Sequence, residues 1–177
     1  QEFVELARRL DKIASLSALE LNISCPNIRS QVENTRHLIS QDPKATYEVV
    51  KSVRRATRKT LITKLSPNVT DIAEVALAAE KAGSDAVALV NTLTGMSIDI
   101  KTRRPKIAAV IAGLSGPAIR PVAVRMVWEV YQKIKIPIIG MGGIMDASSA
   151  IEFFIAGASA VSIGTANFVD PKVTIEV

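Results

Sequence analysis

Polar and glycine residues follow five short apolar runs of the sequence, and such residues can bind a polar ligand. At the end of the first apolar run, Cys25 lies between Asn22 and Asn27 in the sequence. A thiol can act as a base or a nucleophile, and asparagine amides both donate and accept hydrogen bonds. A buried structural role is the alternative for a single cysteine, but the two asparagines and the intervening Pro26 favour a functional site.

The next two runs also carry groups that could contact a ligand. Lys64 lies inside an apolar run, where an ammonium group is costly to bury unless it meets an anion or a polar cofactor. The alternative is a lysine at the strand end that reaches solvent. Asn91 and Thr92 close the following run, where they could bind a polar ligand or only form a turn and a helix cap. These residues alone leave both alternatives open.

Glycines close the last two apolar runs, at Gly142-Gly143 and at Gly164-Thr165. A glycine lets backbone N–H groups approach a phosphate closely, and the dipole of a following helix adds to the attraction. Two such ends on consecutive runs predict a phosphate-bearing cofactor. A histidine-built metal site is excluded, because His37 is the only histidine, and we expect His37 at the surface.

Alternating strands and helices must position these residues. The five apolar runs span residues 18–24, 60–66, 86–92, 137–143 and 160–166. Between these runs lie four helical patterns. One begins at Asp42-Pro43, one begins after a cap at Thr70, and two cover residues 121–133 and 147–156. Gly83 and Gly157 are the predicted glycine stops. This alternation predicts an α/β fold with a parallel sheet, either doubly wound or a (β/α)8 barrel. Residues 93–120 read as one long connection, a length that is usually functional.

Composition limits the classes of protein that this sequence can encode. A chain of 177 residues with 48% hydrophobic residues can form one domain, residues 1–177, with a real core. Its 22 basic and 17 acidic residues are spread out and only 4% of residues are aromatic, so we expect no nucleic-acid partner. We also expect no membrane partner, because no apolar run reaches the length of a span. One cysteine excludes an internal disulfide and fits a reducing cytoplasm.

Seven motifs, in order and through nearly the whole chain, resemble those of the dihydroorotate dehydrogenase family, most closely its class 1B catalytic subunits. The motifs are ELNISCPN (20–27), KLSPNVTDI (64–72), NTLTGMSID (91–99), TRRP (102–105), GLSGPAIRP (113–121), IPIIGMGGI (136–144) and GASAVSIGTANF (157–168). The resemblance implies a flavin-bearing (β/α)8 barrel. Because five runs are fewer than the eight strands of a barrel, we expect an incomplete, C-terminal portion that lacks the first three βα units.

The resemblance also implies the reaction and the residues that perform it. The family oxidises dihydroorotate to orotate with FMN, in de novo pyrimidine biosynthesis. Cys25 would be the base that removes a proton from C5 while hydride passes from C6 to the flavin. The substrate-binding residues would be Asn22, Asn27, Asn91 and Thr92. The FMN-binding residues would be Lys64, Val90, Gly116, Gly142, Gly143, Gly164 and Thr165.

The class 1B resemblance further implies a partner and a homo- or hetero-oligomer. The partner that the resemblance implies is an iron–sulfur and FAD subunit that passes electrons to NAD. This chain cannot hold the cluster with its own cysteines, because one cysteine cannot ligate a cluster. The chain departs from the family pattern at residues 28–41, where the loop that carries the cysteine is longer and lacks glycine. Two alternatives stay open: a pyrimidine-reducing domain like that of dihydropyrimidine dehydrogenase, and a truncated copy without activity.

Overall fold

A computed structural model describes residues 1–24 and 39–177, and a five-stranded parallel sheet forms its centre. The strands, in chain order, are β1 (Ala18–Asn22), β2 (Thr60–Lys64), β3 (Ala86–Leu89), β4 (Leu93–Gly95), β5 (Ile98–Asp99), β6 (Arg104–Pro105), β7 (Ala112–Leu114), β8 (Ile138–Met141) and β9 (Ala160–Ser162). The central sheet contains β1, β2, β3, β8 and β9, which confirms all five predicted strands.

The order of the strands decides between the two predicted architectures. Neighbours in the sheet run β1-β2-β3-β8-β9, every pair is parallel, and the order never reverses along the chain. A doubly wound sheet reverses its strand order at a switch point, whereas a (β/α)8 barrel adds each strand on the same side. The sheet is therefore part of a (β/α)8 barrel.

Seven α-helices accompany the strands in the part of the chain that the structure describes. They are α1 (Glu2–Asp11), α2 (Pro43–Arg54), α3 (Ile72–Lys81), α4 (Arg120–Tyr131), α5 (Ala147–Ile155), α6 (Ala166–Val169) and α7 (Val173–Glu176). No helix among them is long and apolar enough to cross a membrane. The four helices predicted between the strands are confirmed, each ending within a few residues of its predicted bound.

Local chemistry explains where these helices begin and end. The cap of α2 is Asp42, as predicted, and its side chain accepts a hydrogen bond from the Lys44 N–H. The prediction of Thr70 as the cap of α3 is wrong, because the Asp71 carboxylate accepts bonds from two backbone N–H groups of the first turn. Gly83 and Gly157 end α3 and α5 with φ of +98° and +114°, a conformation that favours glycine.

The hydrophobic core lies between the sheet and the helices that pack on its outer face. Leu61 and Thr63 of β2 point into this layer, whereas Lys64 points to the opposite, inner face of the sheet. Phe153 of α5 is fully buried against Gly140 of β8, where a Cβ atom would lie 2.6 Å from the Phe153 ring. The outer face is therefore mainly apolar and tightly packed, with the Thr63 hydroxyl hydrogen-bonded to that of Ser84, and the Lys64 side chain lies on the inner face.

Residues 93–120 form more regular structure than the sequence indicates. β4 pairs with β7 and β5 pairs with β6, in two small antiparallel ladders, and a 3-10 turn at Pro117–Ile119 follows. The prediction of one long irregular connection is wrong here, because strands of two or three residues leave no periodic pattern in the sequence. The ladders project from the end of β3, beside the polar residues that follow it.

Candidate functional site

A cavity of about 270 Å³ opens where the carboxyl ends of β2, β3, β8 and β9 meet. Parallel strands bring these ends to one edge of the sheet, which is where barrel folds build their sites. All seven predicted cofactor-binding residues line this cavity, together with two of the predicted substrate-binding residues. They are Lys64, Val90, Asn91, Thr92, Gly116, Gly142, Gly143, Gly164 and Thr165.

Lys64 is held by an acidic neighbour on the inner face of the sheet. Its ammonium nitrogen lies 3.4 Å from the Glu20 Oε1 atom of β1, and its side chain is 21% exposed. In the parallel register of β1 and β2, Asn22 is the direct partner of Lys64. Glu20 lies two residues before Asn22 and therefore faces the same side of the sheet. Lys64 is therefore directed along the inner face towards the cavity instead of out into solvent.

A short network of hydrogen bonds joins the end of β1 to the end of β3. The Asn22 Oδ1 atom accepts a bond from the Ser24 hydroxyl at 2.9 Å, and the Asn91 Nδ2 group donates to the same hydroxyl at 3.0 Å. Ser24 is fully buried, whereas Asn22 is exposed and lies beside the cavity rather than in its wall. Asn22 and Asn91 are thus positioned relative to each other by one buried serine.

Thr92 is held by two residues, Asn68 and Gly113, for which no role was predicted. The Asn68 Nδ2 group donates to the Thr92 carbonyl at 3.0 Å, and the Asn68 Oδ1 atom accepts from the Thr94 N–H at 2.8 Å. The backbone of Gly113 lies so close that a Cβ there would be 2.1 Å from the Thr92 hydroxyl oxygen. The Ser-Pro-Asn sequence shortly after β2 is the local pattern that could have pointed to Asn68.

Backbone with no side chain forms one wall of the cavity. Gly116, Gly142 and Gly143 have φ of +88°, +127° and +82°, and a Cβ on Gly143 would lie 2.7 Å from the Gly116 carbonyl oxygen. At Gly164, in contrast, a Cβ would meet no atom of the described residues within 4 Å. Packing against that part of the chain does not explain this glycine, and the open space in front of it fits a bound group that the backbone approaches closely.

Five further residues line the cavity, and two predicted site residues lie outside the residues that the structure describes. The additional lining residues are Ser115, Ile119, Met141, Ser162 and Phe168. The Ser115 hydroxyl accepts a bond from the Thr165 hydroxyl at 2.9 Å, which joins the loop before α4 to the end of β9. Cys25, Asn27 and His37 lie outside the described residues, as does most of the loop 28–41.

A larger groove of about 800 Å³ lies elsewhere, between α4 and α5 on the outer face. Its lining is mainly apolar, and its charged groups already have partners: Arg120 Nε lies 3.1 Å from Glu152 Oε2, and Arg125 Nη1 lies 2.6 Å from Glu129 Oε1. The groove does not contain the polar groups of the strand ends. We therefore place the candidate chemistry in the smaller cavity.

The chain belongs to the dihydroorotate dehydrogenase family, whose sequence profile matches residues 1–177. It is 57% identical over 171 residues to the Dihydroorotate dehydrogenase B (NAD(+)), catalytic subunit of Geobacter metallireducens, with 97% of this chain and 55% of that protein covered. The subunit of the same name from Caldicellulosiruptor saccharolyticus is 52% identical over 177 residues, which are 100% of this chain and 57% of that protein. The chain thus spans about half the length of these curated relatives.

A solved structure shows the same fold. The crystal structure of a dihydroorotate dehydrogenase from Eimeria tenella in complex with ferulenol matches with a TM-score of 0.77 at 23% identity. The match covers 98% of this chain and 50% of that one. It agrees with the partial barrel that the strand order defines.

Proposed function

We propose that this chain supplies the carboxyl-end site of an FMN-dependent enzyme that oxidises dihydroorotate to orotate, and that residues 1–177 act in it as one domain. One observation carries the proposal: residues that the family resemblance implies for FMN and substrate, from four strand ends, line one cavity. The family match and the names of the relatives support the same reaction. The product would enter pyrimidine biosynthesis.

The residues of the cavity fit a flavin mononucleotide. Gly142, Gly143 and Gly164 offer backbone that can approach a phosphate, and none of the described residues comes within 4 Å of a Cβ built at Gly164. Lys64 offers a positive charge, and Val90 an apolar contact, at the part of the cavity nearest β2 and β3. When bound, FMN supplies the two-electron acceptor for the hydride that leaves C6 of dihydroorotate.

The residues that follow β1 and β3 suit a flat ring with several donors and acceptors. Asn22, Asn91 and Thr92 would hold the pyrimidine and its carboxylate, and Asn27 would support them. Held in this way, the substrate keeps a single orientation relative to the groups that react with it. Positioning of this kind lowers the entropic part of the barrier.

Cys25 would remove the proton from C5 as the hydride leaves C6, so that the double bond of orotate forms between these carbons. An ordinary thiol has a pKa of about 8.5 and is a poor base at neutral pH. Nearby hydrogen-bond donors or positive charge favour the thiolate, whereas loss of water around the site opposes it. The residues around Cys25 must therefore supply hydrogen bonds that outweigh the loss of hydration.

The names of the relatives support a partner subunit. Each is called the catalytic subunit of an enzyme that uses NAD(+). We propose that an iron–sulfur and FAD subunit takes electrons from this chain, and that the assembly works in the cytoplasm. Cys25 alone cannot ligate a cluster, so those cofactors would belong to the partner.

Substrate choice tests the proposed reaction. We would load the full-length chain, meaning this sequence with the residues that flank it in its gene, with FMN and supply an artificial electron acceptor. Turnover of dihydroorotate without turnover of dihydrouracil or dihydrothymine is the expected result. Turnover of the uncharged pyrimidines instead would favour a dihydropyrimidine dehydrogenase-like activity, and no turnover of any of them would favour a non-catalytic copy.

A further inference from the structure

We propose that Asn68 is a positioning residue, which holds the turn of Asn91 and Thr92 in the shape that binds the pyrimidine ring. The inference deepens the proposed function and rests on it. After Leu65, the segment that follows β2 contacts the turn after β3 through the Asn68 side chain. The last backbone hydrogen bonds between these segments join Leu65 to Ala88 and to Asn91.

Beyond that point the side-chain amide of Asn68 continues the pairing. Its Nδ2 group donates to the carbonyl of Thr92 at 3.0 Å, and its Oδ1 atom accepts from the N–H of Thr94 at 2.8 Å. In a parallel ladder, the backbone N–H and C=O of one residue make the same pair of bonds, to the two residues that flank its partner. The side-chain amide of Asn68 therefore replaces the backbone N–H and C=O of a residue that would pair with Leu93.

Asn68 is itself held from two directions. Its Nδ2 group also donates to the buried Ser66 hydroxyl at 3.0 Å, and its backbone carbonyl accepts a bond from the Gln41 Nε2 group at 2.7 Å. A side chain fixed in this way needs little reorganisation when a ligand binds. Hydrogen bonds from residues that do not touch the ligand determine how well a ligand-binding group is oriented.

The consequence falls on Thr92, which lines the cavity. Its N–H donates to the Asn91 Oδ1 atom at 2.9 Å, its carbonyl is bound by Asn68, and Gly113 lies against its side chain. If the bond from Asn68 is lost, the peptide after Thr92 can rotate and carry the threonine hydroxyl out of place. Binding of the pyrimidine would weaken, whereas the glycine wall on the other side of the cavity would not change.

Two substitutions separate the lost hydrogen bond from an added charge. Asn68→Ala and Asn68→Asp both remove the donor to the Thr92 carbonyl, but only Asn68→Asp keeps an acceptor for Thr94 and adds a negative charge. In the FMN-loaded full-length chain, we expect calorimetry to show orotate binding about fivefold weaker in both variants, as for a lost hydrogen bond. FMN affinity, from flavin fluorescence, should stay within about twofold of the wild type.

Asn167→Ala provides the matched control. The Asn167 amide also bridges two segments, since Nδ2 donates to the Ile163 carbonyl at 2.8 Å and Oδ1 accepts from the Thr174 hydroxyl at 2.7 Å. We expect this variant to lower the melting temperature as much as Asn68→Ala while leaving orotate affinity unchanged.

The outcomes distinguish the inference from the proposed function. Wild-type orotate affinity in Asn68→Ala, a loss in Asn68→Asp alone, or equal losses of orotate and FMN affinity would each overturn the positioning role. If the wild-type chain itself binds FMN but not orotate, the proposed function fails, and the inference fails with it.

Discussion

Lys64 carries its positive charge on the inner face of the barrel, at the edge of the candidate cavity, with Glu20 as its partner. An ammonium group in this position can bind an anionic or electron-rich group, and the acidic neighbour keeps the amine on the inner face when no ligand is present. Glu20 lies in the ELNISCPN motif, two residues before Asn22 in β1. The pair therefore joins two of the motifs that define the family.

We predict that Lys64→Met weakens FMN binding by about tenfold or more, because a charge-assisted contact is lost. Fluorescence titration of the full-length apoprotein with FMN measures this effect. Lys59→Met is the control: Lys59 lies at the opposite end of β2, where its ammonium group donates to the Leu16 carbonyl at 2.8 Å. Equal loss of FMN affinity in both variants would show that Lys64 acts only through stability.

Gly113 provides a second test at the level of single residues. A Cβ at this position would lie 2.1 Å from the Thr92 hydroxyl oxygen, so Gly113→Ala must displace Thr92 or the β4–β7 ladder. We expect orotate affinity, measured by calorimetry, to fall more than FMN affinity. Gly95→Ala is the matched control on the paired strand, where a Cβ would make an ordinary 3.4 Å contact with Leu114; an orotate loss there as large as in Gly113→Ala would contradict the prediction.

Residue type alone indicated several of the positions that line the cavity. Lysine in an apolar run and paired glycines at strand ends pointed to positions that line the cavity. Glu20, Asn68 and Gly113 were not identified, because their roles depend on contacts with residues far along the chain. No local pattern states that the amide of Asn68 reaches residues 92 and 94.

Among the helices, the start of α3 depends on one carboxylate. Asp71 accepts hydrogen bonds from the N–H groups of Ala73 and Glu74 at 2.9 and 3.2 Å. We predict that Asp71→Ala lowers the free energy of unfolding by about 1 kcal/mol, and that Asp71→Asn, which can still cap, costs less. Urea unfolding of the full-length chain measures both. A loss in Asp71→Asn as large as in Asp71→Ala would mean that charge, and not capping, stabilises this end.

The start of α5 gives a prediction about pH. Hydrogen bonds from the Ser149 N–H and hydroxyl to the Asp146 carboxylate, with a smaller contribution from Arg120, lower the pKa of Asp146 below its ordinary value of 3.8. A lowered pKa stabilises the fold above the ordinary value, and this contribution is lost as the pH falls through the folded value. We expect Asp146→Asn to lose less stability than the wild type between about pH 6 and about pH 3, by urea unfolding. An equal loss in both would contradict this.

At the level of elements, the sequence predicted what periodicity and capping determine. Five parallel strands and four helices were found because apolar runs and Asp-Pro or glycine boundaries are local signals. The β4–β7 and β5–β6 ladders were missed, because pairs so short are defined by their partner strand and not by their own residues. The cap of α3 was misplaced by one residue, since Thr70 and Asp71 are both good caps and only the backbone geometry selects between them.

For the whole molecule, the described residues leave β1 and β9 at the edges of the sheet. Large apolar side chains near β9 are also exposed, among them Phe168 at 92% and Ile175 at 87%. A barrel covers such edges by pairing them with further strands. The half-length match to the curated relatives agrees with this arrangement.

We therefore predict that residues 1–177 expressed alone aggregate or bind FMN substoichiometrically. Size-exclusion chromatography and a flavin-to-protein ratio test the prediction, with the full-length chain as the control. A monodisperse product that melts in one sharp transition and holds one FMN per chain would contradict it. The architecture itself followed from strand order and from family motifs, whereas barrel closure needs more strands than the five that the described residues form.

The most direct test of the central claim is anaerobic reduction of the FMN-loaded full-length chain by dihydroorotate, followed by flavin absorbance in a stopped-flow instrument. We predict rapid bleaching of the flavin absorbance in the wild type. In Cys25→Ser, we predict that the rate of flavin reduction falls far more than the affinity for orotate. Flavin that stays oxidised in the wild type would contradict the proposed reaction. Comparable losses of reduction rate and of orotate affinity in Cys25→Ser would contradict the role of Cys25 as the base.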